Sequence, residues 1–563
     1  MPSNPHHTRT GGNPVALITD NLDIWSSAIK TKSSAGRGRG KGSGKKFELY
    51  GIKKLRELIL DLAVRGLLVP QDPNDEPASV LLEKIAQEKA NLIKEGKIKK
   101  QKPLPEIGGD EKPFELPKGW EVVRLGGLTS RLGSGSTPRG GKNAYVDNGV
   151  IFLRSQNVWN EGLKLDDTAY ISEETHDKMG NTQVFPSDVL LNITGASLGR
   201  STIFPEELIT ANVSQHVTII RLIDKGMSHF LHLAILSPLV QKLVWGRQVG
   251  MAIEGLSKKV LEKFEFPVPP IDEQHRIVAK VDELMALCDQ LEQQQSNSLS
   301  AHETLVKTLL GALVTASERS AFNDAWERIA QHFHTLFTTQ NSIEQLKQTL
   351  LQLAATGTLV SFGVDVENCV LKDLLDFGPR NGFSPKTVDY ETKFKVLKLG
   401  ATSYGVLNTE ESKFIGENIP GDSHLLLQNG DILIQRGNSA SYVGSNILVA
   451  NNYDRYIYPD LMMKIRANHL VDPEFLSIVL MAPSSREFMW SRMTGTSGTM
   501  PKISKKIVES IPIKVPNNLQ IQRNVVSKIN ELMALCDTLK ARLNTAQTTQ
   551  LQLADSLAEQ AIS

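Results

Sequence analysis

Three cysteines in 563 residues are too few for a disulfide framework, and no CxxC pair or neighbouring histidine cluster makes a metal site of them. No apolar run reaches the ~20 residues that span a bilayer, and the N-terminus lacks a basic stretch followed by an apolar one, so the expected compartment is the cytoplasm. Charge of one sign is missing as well. The 63 Lys and Arg against 62 Asp and Glu leave +1, which argues against indiscriminate coating of nucleic acid but not against a reader whose basic residues cluster on one face. No GxxxxGK[ST] spacing closes in the Gly-rich run Ser33–Lys46 or at Gly140–Asn143, so a self-contained NTPase is excluded. The remaining composition, 40% hydrophobic with mean hydropathy −0.20, is that of a globular chain, and its length calls for three or four units rather than one core.

What the chain does contain is repetition. Glu283-Leu-Met-Ala-Leu-Cys-Asp289 recurs letter for letter as Glu531–Asp537, 248 positions on (531 − 283). Around the first copy Ile277, Val281, Leu284, Cys288 and Leu291 are spaced 4, 3, 4, 3, and around the second Val525, Ile529, Leu532, Cys536, Leu539 and Leu543 keep that rhythm. Such spacing draws one apolar seam down one side of a helix. A second pattern, Ile52, Leu55, Ile59, Leu62, Ala63, Gly66, Leu68 and Val69, returns from Ile343 to Val360, 291 positions later (343 − 52). Ser257-Lys-Lys-Val-Leu-Glu262 is answered by Ser504-Lys-Lys-Ile-Val-Glu509, each followed by a Pro-containing, strand-like piece. The order helix, non-helical block, helix is therefore played twice, and an internal duplication is inferred.

In chain order, residues 1–50 read as a flexible basic segment and 51–115 as two helices (51–68 and roughly 77–97) with a Pro- and Lys-bearing connector. A first mixed α/β block follows at 116–268, then a helical spacer at 269–360, a second block at 361–516 and a C-terminal helix at 517–563. Gly430–Arg436 sits where Ser187–Ile193 sat, yet the polar loops differ between blocks, by function or by drift of surface loops. An unbroken helix from 271 to about 316 would be roughly 67 Å long at 1.5 Å per residue. Its C-terminal copy is of like length, and the simplest arrangement pairs the two, antiparallel, as a ruler between the blocks. Seams left to face absent partners would make the chain poorly soluble alone.

Two dissimilar-looped α/β blocks, separated and followed by near-identical helices, resemble the specificity subunit of a type I DNA restriction-modification system. The resemblance covers nearly the whole chain. It rests on Leu116-Pro-Lys-Gly-Trp-Glu-Val-Val-Arg-Leu125, on Pro267-Val-Pro-Pro-Ile-Asp-Glu-Gln-His-Arg-Ile-Val278 with Glu273 and Gln274, and on the loops Thr194–Arg200 and Ala211–His216. Tyr50–Arg56 and Gln71–Pro77 are similar to the B family of these systems. The second block departs more: the Gln-His pair is missing, with Pro459-Asp460 near its place, and the exit Asn517–Gln522 is degenerate. The resemblance implies an α+β chain in which two target recognition domains each read one half of a split DNA sequence. Long antiparallel helices would join the domains, set the gap and dock two methyltransferase subunits, with restriction (motor-nuclease) subunits joining. It implies no catalysis by this chain: S-adenosylmethionine, ATP and Mg²⁺ would belong to the partners.

Base edges in the major groove are read by Arg, Lys, Asn, Gln and hydroxyls on loops, while Arg and Lys equally grip phosphate, which positions without specifying. In the first block the candidates are Arg131, Ser136, Thr137, Arg139, Lys142, Arg154, Gln156 and Asn157; in the second, Arg380, Asn381, Lys386, Arg436 and Asn438. For any one of them a solvated or strand-capping role is the plainer alternative. Partner docking is expected along the seam residues Ile277 to Leu291 and Val525 to Leu539. An adenine methyltransferase would need an Asn/Asp-Pro-Pro-aromatic motif and a Gly-rich cofactor loop, and a nuclease an ExK after Pro459-Asp460; neither appears. His216 lacks a nucleophile or carboxylate nearby and reads as structural. The rival from another class is a coiled-coil scaffold joining two protein-binding domains, favoured by the near-neutral charge and opposed by Arg- and Asn-bearing loops placed alike in both blocks.

Overall fold

A computed structural model describes residues 14–31, 47–140, 144–247, 255–403, 405–495 and 500–562. Ser33–Lys46, Lys142 and Thr496–Gly498 therefore lie outside the described residues. The chain forms two compact units, 1–296 with 547–563, and 297–546.

The segment 1–50, expected to be flexible, is not so throughout. Short helices over Pro14–Thr19 and Leu22–Ser27 bury Ile18 and Trp25 in the core of the first unit, because these apolar side chains pack with Ile52 and Leu55 of the helix α1 (Tyr50–Val64). Helix α1 is followed by α2 (Ala78–Lys94). Strand β1 (Glu121–Arg124) leads into β2 (Thr129–Ser134), β3 (Val150–Leu153), β4 (Ala169–Ile171), β5 (Gln183–Val184), β6 (Val189–Asn192), β7 (Ser201–Ile203), β8 (Ala211–Val213) and β9 (Val217–Leu222). Residues 228–246 form two helices, α3 (Ser228–Leu236) and α4 (Pro238–Gly246), because Pro238 has no N–H to continue the first and starts the second under a Ser237 cap. A single capped turn, α5 (Lys258–Leu261), and β10 (Glu265–Val268) close the block. One four-stranded sheet is antiparallel, in the order β7-β6-β9-β2; a second, β4-β3-β8-β5, contains one parallel pair, β3 with β8, and β1 pairs with β10.

The second unit repeats this wiring. After α6 (Ile271–Thr315), which passes from one unit into the other, come helices over Arg319–Gln331 and Phe333–Leu336, then α7 (Gln340–Thr356). Its strands are β11 (Val366–Val370), β12 (Leu375–Asn381), β13 (Phe394–Leu397), β14 (Ser412–Ile415), β15 (Leu426–Leu427), β16 (Asp431–Gln435), β17 (Asn446–Leu448), β18 (Tyr453–Ile457) and β19 (Met462–Ala467). Helices over Pro473–Met481 and Pro483–Trp490, the capped turn α8 (Lys505–Glu509), β20 (Pro512–Pro516) and the long α9 (Leu519–Ile562) complete it. The sheets are ordered β12-β19-β16-β17 and β14-β13-β18-β15, again with one parallel pair, β13 with β18, and β11 pairs with β20. Apart from a two-stranded hairpin of Val158–Trp159 with Gly162–Leu163 in the first block, the two blocks share one topology among the described residues.

The repeated letters have repeated jobs. Ser257 and Ser504 accept the Val260 and Ile507 N–H groups, so each Ser-Lys-Lys phrase is a capped helical turn. Gly66 and Gly357 end α1 and α7 with φ near +70 to +80°, and a Cβ at either would strike an aromatic ring, Trp120 at 2.9 Å or Phe362 at 2.7 Å. Gln274 donates to the Pro269 carbonyl at 2.9 Å and Gln522 to that of Pro516 at 2.8 Å, so the degenerate second exit keeps its fastening.

The seam residues are buried, but not against each other. Ile277, Val281, Leu284 and Cys288 share a core with Ile52, Leu55 and Ile59 of α1 and with Ala554, Ala558 and Ala561 at the far end of α9. Val525, Ile529 and Cys536 share the other core with Ile343, Leu346 and Leu350 of α7 and with Val306, Leu310 and Leu313 at the far end of α6, while Leu532 and Leu539 pack on it. In each unit, then, the start of one long helix meets the end of the other and a third, short helix, and both copies of the second repeat supply that third helix. This corrects two expectations. The seams are not exposed, so they give no reason for poor solubility, and residues buried as deeply as Ile277 (0%) and Cys288 (0%) are not available to dock a partner.

Candidate nucleic-acid interface

Both blocks turn from their edge strand into a polar loop by the same device. Beyond β2, Gly135 donates to the Val217 carbonyl at 3.0 Å and Ser136 to that of Val213 at 3.2 Å; beyond β12, Gly382 donates to Met462 at 3.1 Å and Phe383 to Tyr458 at 3.0 Å. Backbone crosses backbone so closely that a Cβ on Gly135 would sit 1.9 Å from the Val213 oxygen, and one on Gly382 2.0 Å from the Tyr458 oxygen. The loops that follow read Gly135-Ser-Thr-Pro-Arg139 and Gly382-Phe-Ser-Pro-Lys386. In both the proline is buried, the hydroxyl residue and the cation are exposed, and the order is Gly-x-Ser/Thr-Pro-Arg/Lys. Ser136, Thr137, Arg139 and Lys386 thus stand on matched loops. That match was readable in the sequence, but only once Val213 and Tyr458 were known to be equivalent.

The same register places Asp460 where the first block has Gln215. The Ser384 hydroxyl donates to Asp460 Oδ1 at 2.5 Å, tying its loop to the β18–β19 turn. Gln215 is exposed, and its neighbour His216 is engaged through Nδ1 with the Thr194 hydroxyl at 2.7 Å, the structural role expected of it.

The remaining candidates divide by what already holds them. Arg154 donates to the Asp167 carbonyl at 2.8 Å and ion-pairs with that carboxylate at 3.3 Å, and the exposed Gln156 donates to Asp167 Oδ2 at 2.5 Å. Asp167 is itself 82% exposed, so this cluster can exchange its internal bonds for a ligand. Asn157 cannot, which corrects its assignment as a base reader. It is 2% exposed, its Oδ1 accepts the Arg154 N–H, and its Nδ2 donates to the carbonyls of Lys164 and Asp167. It locks the turn that presents Arg154 and Gln156.

In the second block Arg380 is exposed on β12, with its guanidinium 5.3 Å from the centre of the Phe377 ring. The neighbouring Asn381 has a buried Oδ1 with no internal donor. Arg436 is half-buried and donates through Nε to the Ile503 carbonyl at 3.3 Å, while Asn438 donates to Gln435 Oε1 at 2.6 Å and accepts from the Ser439 N–H. These two hold the β16–β17 turn and leave little side chain for a base.

Sequence reasoning passed over Trp159. Its indole lies between Lys164, 3.5 Å from the ring centre, and Arg200 at 3.9 Å, and it donates to the Gln156 carbonyl at 2.7 Å. Such a cation–aromatic sandwich stiffens the loop that carries Gln156. On β2, Arg131 stands opposite Arg221 of β9 in the strand register, with its Nε buried and unpartnered. Burial, and then the Arg221 charge, hold the Arg131 guanidinium below its ordinary pKa, so an added anion would relieve it. Among the described residues no group of three or more His, Cys, Asp or Glu could hold a metal ion, and no helix is long and apolar enough to cross a membrane.

A family model described as the type I restriction modification DNA specificity domain matches the chain twice, at 117–301 and 363–547. The EcoEI type I restriction enzyme specificity subunit of Escherichia coli is 34% identical, over 97% of this chain and 99% of that one. The EcoAI specificity subunit of the same species is 33% identical over the same shares. A chain from a solved type I restriction-modification system, 16% identical and covering 80% of this chain and 99% of its own length, superposes with a TM-score of 0.51 and so shares the fold. The chain belongs to the type I restriction-modification DNA specificity family. Its role is that of a specificity subunit, which recognises DNA and leaves catalysis to other members of the system.

Proposed function

We propose that each block reads one half of a bipartite DNA target, and that the long helices set the gap and hold two methyltransferase subunits, which restriction subunits join. S-adenosylmethionine, ATP and Mg²⁺ belong to those partners. The assignment of 116–268 and 361–516 as the two recognition domains, flanked by the N-terminal segments 1–50 and 51–115, the spacer 269–360 and the helix 517–563, belongs to this reading. One observation carries it: two blocks of one topology present matched Gly-x-Ser/Thr-Pro-Arg/Lys loops beside unmatched ones.

That contrast also divides the labour. What recurs in two domains that read different bases must meet what both half-sites share, the sugar-phosphate backbone. Arg139 and Lys386, with Thr137 and Ser384, are therefore positioning residues. What differs reads bases: Ser136 and Gln156, supported by Arg154, in the first block, and Arg380 and Asn381 in the second. Arg131 lies on the backbone side. Lys142 remains a candidate from sequence, Asn157 is withdrawn, and Arg436 and Asn438 act by holding a turn.

Co-expression with the methyltransferase subunit, followed by single-molecule sequencing for N6-methyladenine, tests the reading. It requires one asymmetric, gapped motif that vanishes when this chain is deleted. An assembled complex that methylates no defined motif with S-adenosylmethionine present would refute it. Under Arg139→Gln or Lys386→Gln the motif should persist while affinity for all DNA falls.

A further inference from the structure

The first unit carries a basic cleft of about 1390 Å³ beside β2. One wall is the connector after α2, which carries Lys97, Lys99, Lys100 and Lys102. The opposite wall is the capped turn α5, with Lys258 and Lys259, and Lys263 just beyond; Arg131 and Arg221 lie between. Nine cations thus face one carboxylate among the lining residues, Glu262. Lys97 pairs with Glu95 at 2.8 Å and Arg221 with Asp188 at 2.7 Å. The other six lysines have no carboxylate partner among the described residues.

The connector is not a loose tether. Lys89 of α2 donates to the Gly126 carbonyl at 2.7 Å, and Arg124 donates to the carbonyls of Pro105 at 3.2 Å and Glu106 at 3.1 Å, so the lysines are held against the block. Like charges gathered at a fixed site repel one another, and the arrangement costs stability unless an anion answers it.

We propose that this cleft grips the phosphate backbone of the duplex next to the first half-site, a sequence-independent clamp built from the N-terminal connector and the recognition domain together. The inference rests on the proposed reading of DNA by the first block. Continuity favours DNA over an acidic protein segment. The strand that borders the cleft, β2, contributes Arg131 and Gly133 and reaches the Gly135 loop two residues later. At ~3.4 Å per residue Ser136 stands about 10 Å beyond Gly133. Lys97 to Lys102 span up to ~16 Å of irregular chain, a distance that follows several phosphates of one strand at one per ~3.4 Å of axis. The second unit does not repeat the device: opposite Arg466, where the first unit has Arg131 opposite Arg221, stands Phe377, its ring centre 6.0 Å from that guanidinium.

The test uses the full chain assembled with its methyltransferase subunits, cognate DNA defined by the methylated motif, and an unrelated duplex of equal length. Binding is measured across a salt series. Each phosphate no longer gripped should flatten the log K against log[salt] slope by about 0.9. The connector variant Lys99→Gln/Lys100→Gln/Lys102→Gln should flatten it by roughly one to three, and Lys258→Gln/Lys259→Gln by roughly one to two. Both should weaken cognate and unrelated DNA by the same factor and leave the methylated motif intact. Lys84→Gln, outside the cleft and paired with Glu76 at 2.6 Å, controls for net charge. Wild-type slopes in both variants would overturn the proposal, and wild-type slopes with weakened assembly would assign the cleft to an acidic segment of a partner subunit. Failure of the recognition reading shows separately, as a wild-type complex without preference for any sequence.

Discussion

Gly135→Ala should weaken recognition of one half-site and spare the other. The added Cβ would lie 1.9 Å from the Val213 oxygen and 2.7 Å from that of Ser214. Real Cβ atoms essentially never approach another heavy atom within 3.0 Å, so the loop must retreat by at least 1.1 Å (3.0 − 1.9). The obstructing atoms are backbone of β8 and its turn, which the β3–β8 pairing fixes in place, so the loop and not the strand moves. A hydrogen bond to a base edge does not survive a displacement of that size. A good bidentate pair with a base is worth about 1–3 kcal/mol of discrimination, and the single hydroxyl contact of Ser136 should cost about the low end of that range, roughly 5-fold. The assay compares cognate DNA with duplexes mutated in one half-site, bound to the assembled methyltransferase, alongside sequencing of the methylated bases. The variant should discriminate less against changes at the base that Ser136 meets, while still rejecting changes in the second half-site. Gly382→Ala, where a Cβ meets the Tyr458 oxygen at 2.0 Å, should do the reverse. Methylation of an unaltered motif at an unaltered rate by Gly135→Ala would sink the argument.

Three further outcomes follow from the packing. Leu284→Ala, at a position 2% exposed in the first core, should cost about 2–5 kcal/mol by urea unfolding; a cost under about 1 kcal/mol would mean that the seam is not a core. Burial holds the His232 imidazole below its ordinary pKa of 6.5, with Nε2 at 3.0 Å from the Ser201 carbonyl and His229 adding a smaller push the same way. Its contribution to stability is complete above about pH 6.5 and declines as the pH falls from there, by at most about 1.4 kcal/mol per pH unit. In urea midpoints between pH 5 and 7.5, His232→Gln should therefore depend less on pH than wild type, and parallel curves would refute this. Inserting one heptad into α6 and a matching heptad into α9 adds about 10 Å. It should lengthen the methylated motif's gap by about three base pairs, at ~3.4 Å of axis each, without changing either half-site, and altered half-site letters would end the ruler idea.

How much was legible turns on whether a constraint was written in side chains or in backbone. The seam helices were readable because a 4, 3, 4, 3 rhythm of Leu, Ile, Val and Cys has no other economical use, and α6 and α9 run where that rhythm placed them. Ser257-Lys-Lys and Ser504-Lys-Lys were visible as a repeat, and became a capped turn only when the Ser hydroxyls met their N–H groups. The matched loops escaped notice because their letters differ: Ser136 against Phe383, Thr137 against Ser384, Arg139 against Lys386. What is constant there is a glycine at a backbone crossing and the short order Gly-x-Ser/Thr-Pro-Arg/Lys, which stands out only once the crossing aligns the two loops. Asn157 failed for the converse reason. An Asn in a polar loop reads as a free donor, and only the fold reveals that Lys164 and Asp167 have already accepted its two N–H bonds.

The duplicated heptapeptide holds more identity than its core requires, and on the proposed function that excess is the predicted docking surface for the partners. Leu284 and Cys288, like Leu532 and Cys536, are fixed by packing. Asp289 answers Arg56 at 2.6 Å and Asp537 answers Lys347, one cation from each short helix. Glu283 and Glu531 take Lys280 and Lys528 three residues before them, both at 2.9 Å. Ala286 with Leu287, and Ala534 with Leu535, take no part in these pairings, and Leu535 is 55% exposed. Among the described residues neither leucine belongs to a hydrophobic core, whereas two copies of one partner would each meet a leucine there. Leu535→Asp should leave the stability measured by urea unfolding within about 0.5 kcal/mol of wild type and Leu287→Asp, at a half-buried position, should cost about 1 kcal/mol, yet each should halve the number of methyltransferase subunits bound, as counted by native mass spectrometry. The double variant should bind none. Full occupancy in both single variants would move the docking surface off the repeat.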